Sequence, residues 1–212
     1  MSSISFNKNH FYRGFTLVEL LVSISIMLVI TSVVLFNQGS YTSAISLTNL
    51  ANDISLTIRQ AQIYGVSVAE LQTGSNDFSS AYGVDFNISN TGSNNAYIFF
   101  ADRGAVKDGY YDGPWSCPVG GSSECLQKSN TTTGNTISKL CLLYTNSPKD
   151  CTLSRVDITF LRPNTDANMV FFNSGGGIMS PVNVLGAEVD IVSTSGGAHS
   201  IVVYTTGQIS VK

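Results

Sequence analysis

The chain has 212 residues, 43% of them apolar and 12% charged, with 19 Gly and a formal net charge of −3. A charged share of about half the usual value, with Ser, Thr, Asn and Gly in its place, describes a turn-rich β protein working outside the cytoplasm. The acidic balance disfavours a general nucleic-acid coat, because phosphate binding is mostly a count of Lys and Arg; the apolar content disfavours disorder; and two His are too few for a multi-histidine metalloenzyme.

The first element is a basic leader followed by an apolar run. Residues 1–14 hold Lys8 and Arg13 and no acid. From Phe15 to Phe36 the chain is almost wholly apolar, and at about 1.5 Å per residue it reaches roughly 33 Å, enough to cross a hydrocarbon core. The basic flank precedes the span, so the leader is expected in the cytoplasm and the remainder outside. The run is too long for a secretory h-region and no small-residue cleavage site follows it. Glu19 lies one helical turn inside. A carboxylate in a bilayer costs about 2.5–3.5 kcal/mol on insertion scales. The span has no Lys, Arg or His, so a cationic partner must come from another chain or from processing.

The string Arg13-Gly14-Phe15-Thr16-Leu17-Val18-Glu19-Leu20-Leu21 resembles the class III signal of type IV pilins and type II secretion pseudopilins. The resemblance implies that a prepilin peptidase cuts between Gly14 and Phe15 and N-methylates Phe15. It also implies that Glu19 acts in assembly, paired with the cationic amine of Phe15 on this chain or on a neighbouring subunit. Implied partners are the prepilin peptidase, other pilin or pseudopilin subunits, the inner-membrane assembly platform and the membrane itself.

Helical spacing continues beyond the apolar run through Ala44, Leu47, Leu50, Ala51, Ile54, Ile58 and Ala61, with polar residues on the other faces. One helix is expected over 15–64, transmembrane over about 15–36, with Gly65 as its stop and Gly39-Ser40 as a soft point. The stretch Ala51–Val68 and the closing Val202–Val211 resemble GspH/FimT-type minor pseudopilins, which implies a minor subunit.

After Gly65 the period changes to alternation. Strands are expected at Val66–Leu71, Ala81–Phe86, Ala96–Ala101, Ser138–Tyr144, Arg155–Leu161, Met169–Asn173, Ala187–Ser193, Ser200–Tyr204 and Gln208–Val211. No second helical pattern appears, so the fold class is α+β: a long N-terminal helix packed on an antiparallel β-sheet or β-sandwich head. The expected division is a leader (1–14), the helix (15–64) and a head outside the cytoplasm (65–212). Asp102–Thr136 reads as the longest irregular region.

Four Cys fall in the head, Cys117, Cys125, Cys141 and Cys151. An even count in an exported domain points to disulfides with three connectivities, of which the sequence-local pairing is favoured. Spacings of 8 and 10 do not suit zinc. Asp102, Asp108 and Asp112 beside Gly are weak calcium candidates, since secretion-type major pseudopilins have such a site; turn chemistry is the simpler reading. No cofactor is expected. His199 is the one His outside the leader and reads as a surface residue, and Gly175-Gly176-Gly177 lacks the Lys-Ser/Thr of a phosphate loop. No enzyme is expected. Loss of the two leader bases would leave 9 Lys and Arg against 14 acids, a formal −5. Charge therefore does not support DNA as a partner, although some related pilins bind it. The runner-up function is a filament-tip binding module, an adhesin or DNA-uptake receptor, on the same anchor. The aromatic loop Tyr110–Trp115 is either its contact surface or a buried anchor.

Overall fold

The computed structural model describes residues 14–67, 80–103, 107–118, 123–131 and 134–212. Among the described residues one helix, α1 (Leu17–Val66), is followed by ten strands: β1 (Tyr82–Asn87), β2 (Ala96–Ala101), β3 (Cys125–Asn130), β4 (Thr136–Tyr144), β5 (Arg155–Phe160), β6 (Ala167–Phe172), β7 (Ile178–Met179), β8 (Val184–Val192), β9 (Ala198–Tyr204) and β10 (Ile209–Val211). The chain divides after Tyr41 into two compact units.

In the first unit α1 is apolar all round. Three of its hydroxyls are satisfied internally: Ser23, Ser25 and Thr31 donate to the carbonyls of Glu19, Leu21 and Met27 at 2.6–2.8 Å. Such back-bonding to residue i−4 lets Ser and Thr sit in an apolar helix without an orphaned polar group. Helical structure runs through Gly39-Ser40 without a break.

In the second unit the amphipathic part of α1 meets two antiparallel sheets. The order is β3-β2-β1-β5-β6-β7 in one and β10-β9-β8-β4 in the other. Leu47, Leu50, Ala51, Ile54, Ile58 and Ala61 are buried and share one core with the inner faces of both sheets. Alternation decides which strand residues reach it. Val84 and Phe86 of β1, Val156, Ile158 and Phe160 of β5, Ala187, Val189 and Ile191 of β8, and Ile201 and Val203 of β9 all do. Ala44, expected in the stripe, is exposed.

Three expectations are corrected. Gly65 does not stop the helix. A Cβ there would run into the carbonyl and side chain of Phe160, so glycine allows α1 to lie close against β5, and its own carbonyl accepts from Arg162 N at 3.0 Å. Val66, taken as a strand start, therefore closes the helix; 68–71 lie outside the described residues. Asp102–Thr136 contains a strand, β3. Its Gln, Lys, Ser and Asn hid it, because an edge strand is polar where it faces solvent.

Part of the outer face of the larger sheet is covered. Ile98 and Phe100 of β2 pack with Tyr111, Cys117 and Cys125 in a second small core. Both faces of β1 and β2 are buried as a result, which explains the continuous apolar composition of β2.

Candidate functional site

At the N-terminus, Gly14, Phe15 and Thr16 precede the helix in non-helical conformation, and all three are exposed. The helix starts at Leu17, slightly later than expected, because Thr16 is its N-cap. Glu19 N donates to Thr16 Oγ1 at 3.2 Å. In return Glu19 Oε2 accepts from Thr16 N at 3.1 Å and Thr16 Oγ1 at 3.0 Å. This reciprocal arrangement is a capping box. A carboxylate in the first turn also faces the positive end of the helix dipole. The signal is present in the sequence as Thr16 three residues before Glu19.

Beyond the cap the apolar side chains have no cover. Phe15 is 82% exposed, Phe36 is 87% exposed, and the large apolar residues between them are exposed as well. The helix is long and apolar enough to cross a membrane by length and composition. Residues 10–35 match the prokaryotic N-terminal methylation motif. The chain carries the N-terminal signal of type IV pilin-like precursors. Such a precursor is processed by prepilin peptidase and assembles with other pilins, and its apolar helix fits anchoring in the inner membrane. The motif is one of structural subunits. No curated protein and no solved structure matches the chain.

The head carries a second polar constellation. Asp85 of β1 and Asp157 of β5 are register partners on the outer sheet face, both essentially fully buried. Arg155 lies between them: its Nε is 2.9 Å from Asp85 Oδ1 and 2.8 Å from Asp157 Oδ2. The guanidinium also donates to the carbonyl of Tyr111 and lies over the rings of Phe172 and Tyr110. Carboxylates hold the covering loop by its amides. Asp102 Oδ2 accepts from Gly109 N at 2.9 Å, Asp157 Oδ1 from Tyr111 N at 3.0 Å, and Glu124 from Arg103 N and Asp112 N at 3.1 and 3.0 Å. Burial pushes the carboxyls of Asp85 and Asp157 up, against the pull of Arg155. Burial also raises Glu124, to about 7, with the two amides opposing. Tyr111 is pushed up to about 12 by burial and then by the charge of Asp85. Its phenol stays protonated and donates to Pro114 O at 2.8 Å.

The calcium candidates take structural parts. Asp102 is buried on the amide of Gly109, Asp108 Oδ1 accepts from Tyr110 N at 3.4 Å, and Asp112 is exposed on the loop. Among the described residues no three His, Cys, Asp or Glu gather as a metal site. The cysteines form Cys117–Cys125 and Cys141–Cys151. The first ties the covering loop to edge strand β3, and the second ties β4 to the segment whose Asp150 bridges to Leu142. His199 sits in β9 with both ring nitrogens engaged, by Thr48 Oγ1 at 3.3 Å and Lys212 O at 2.9 Å. Gly175-Gly176-Gly177 is a turn whose amides, at Gly175 and Gly177, bond Asn173 Oδ1. Asp85, Arg155, Asp157 and Glu124 were missed by sequence reasoning. The one signal, for Asp85 and Asp157, was an acid on the alternate face of two strands.

Proposed function

We propose that the precursor is cut between Gly14 and Phe15 and that its helix is held in the inner membrane as a single pass with the head outside. From there it assembles as a minor pilin or pseudopilin that primes or joins a type IV pilus or a type II secretion pseudopilus. The observation that carries this reading is the capped start of an apolar helical run, Leu17 to Phe36, whose side chains are exposed. The scissile bond precedes the N-cap, in exposed non-helical chain that a peptidase can enter. Uncovered apolar side chains gain about 1.5–3 kcal/mol each when buried, in lipid before assembly and against other helices after it. Glu19 sets direction. Its capping box satisfies oxygen acceptors but leaves the negative charge, and in a low-dielectric bundle that charge favours a cation. The amine of Phe15, freed by the cut, is the cation the chemistry supplies. The minor role and the GspH/FimT kinship rest on the Ala51–Val68 and Val202–Val211 resemblances.

The test is incorporation of Glu19→Ala into sheared filaments of a cell that makes the whole machine. The variant is expected in the membrane, cut and inserted, but lower in filaments by about tenfold or more. Wild-type incorporation would overturn the pairing.

A further inference from the structure

Four strands end the two sheets: β3 and β7 in the larger, β10 and β4 in the smaller. An open edge is a template for another strand, and folded proteins usually blunt it. Two of these edges are blunted by length, since β7 has two residues and β10 three. β4 is bridged at Leu142 by Asp150 and tied by Cys141–Cys151. β3 has six residues, and among the described residues no strand but β2 pairs with it. Its one Lys does not guard the edge: Lys128 Nζ donates to Trp115 O at 2.8 Å and lies over that ring. The ladder fixes which backbone groups are open. Thr131 N donates to Asn95 O at 2.8 Å, and the pairs Ser129↔Tyr97 and Gln127↔Phe99 follow at two-residue steps. Antiparallel ladders alternate, so the N–H and C=O of Lys128 and Asn130 point away from β2.

Helix α1 stands across from this edge. Between them lies a groove of about 440 Å³, lined among others by Leu50, Asp53, Leu56, Tyr97, Lys128 and Asn130. A strand edge facing a helix across a groove can take an extended peptide as a further strand, main chain on the edge and side chains on the helix. The helix wall offers Leu50, Asp53 and Leu56, neighbours at three-residue steps. Leu56 is 62% exposed, so the wall has apolar surface to cover. Asp53 is also exposed and has no ion pair among the described residues, while the ammonium of Lys128 is held at Trp115. The groove therefore complements a cation flanked by apolar side chains, and side chains two apart on a strand share a face. Within the strands of this chain that pattern occurs at Ile137, Lys139 and Cys141 of β4, already paired with β8, so a different protein supplies it.

We propose that this groove binds an extended segment of another protein, added to β3 as a further strand, whose basic side chain between two apolar ones pairs with Asp53. The site lies wholly in the second unit and does not depend on the assembly reading.

The test is the fluorescence anisotropy of the peptide fluorescein-Val-Thr-Lys-Thr-Val-amide, titrated with the full chain in detergent. A saturable rise is expected, half-maximal below about 1 mM. A copy N-methylated at every backbone amide is expected not to bind, because it cannot donate to β3. A copy with Glu in place of Lys is expected to bind about fivefold more weakly or worse. On the protein, Asp53→Asn is expected to weaken binding about twofold to fivefold with an unchanged melting temperature. Asn130→Pro removes an N–H from the open side and leaves the ladder to β2 in place, and is expected to weaken binding about tenfold. Absence of binding up to about 1 mM, equal binding of the N-methylated or the Glu peptide, or wild-type binding by either variant would each overturn the proposal. So would a dimer of the chain that Asn130→Pro dissolves, which would assign the edge to a second copy. None of these outcomes bears on processing at Gly14.

Discussion

Gly65 shows how much one side chain can decide. Helices commonly end at glycine because glycine tolerates the left-handed turn that follows them, and that rule makes Gly65 a stop. Its actual work is to have no Cβ where the backbone of Phe160 passes. Gly65→Ala is therefore expected to lower head stability by about 1–3 kcal/mol, as overpacking does, despite the better helix propensity of Ala. Thermal melting followed by circular dichroism checks it, and an unchanged or raised melting temperature would deny the close approach. Thr16 and Glu19 give the opposite lesson. Their spacing is a local signature of a helix start, legible once the carboxylate is examined for backbone partners as well as for a countercharge.

Among elements, β1 and β5 hold the least legible feature. Tyr-Gly-Val-Asp-Phe-Asn and Arg-Val-Asp-Ile-Thr-Phe each place an acid on the alternate face, which ordinarily means a solvated face. What buries Asp85 and Asp157 is the loop 107–118, remote from β5 in sequence, and no periodicity announces it. Arg155→Leu keeps much of the apolar volume against Phe172 but leaves two buried carboxylates with no cation. A loss of about 3–5 kcal/mol is expected, read as a lower denaturation midpoint in urea. A loss under about 1 kcal/mol, the worth of an exposed pair, would mean that the cluster is open to water. Strands β3 and β7 were hidden for other reasons. The first is a polar edge, and the second is two residues long, too short for any alternation. The strands of the smaller sheet were legible in outline because Val, Ile and Leu alternate along them, but the order β10-β9-β8-β4 depends on long-range pairing that no window of sequence contains.

The whole head carries a pH response of unusual sign. Asp85, Asp157 and Glu124 all have raised carboxyls, chiefly through burial. In the unfolded chain such groups titrate near their ordinary values of about 3.9 for Asp and 4.3 for Glu. Between that range and about 7, the raised value for Glu124, the folded head holds more protons than the unfolded chain. Their stabilising contribution is thus full below about pH 4 and is lost as pH rises through about 7. The melting temperature of the disulfide-intact protein is expected to rise on going from about pH 8 to about pH 5. A monotonic fall over that window would show that these carboxylates are stabilised as charges. The N-terminal half of the chain was the most legible because its chemistry is local: an apolar run, a basic flank and a helix cap lie within a few turns of one another. The head disclosed its class and most of its strands, but kept its burial pattern until the loop was placed over the sheet.

The claim that joins these scales is that the capped, uncovered helix belongs to a precursor that is cut just ahead of its cap. It is tested most directly by intact mass and N-terminal sequence of the protein from its native membrane. A chain beginning at N-methylated Phe15, short by residues 1–14, is the expected result. A chain that keeps Met1 in a cell with an active prepilin peptidase would contradict the account and leave the helix as an anchor alone.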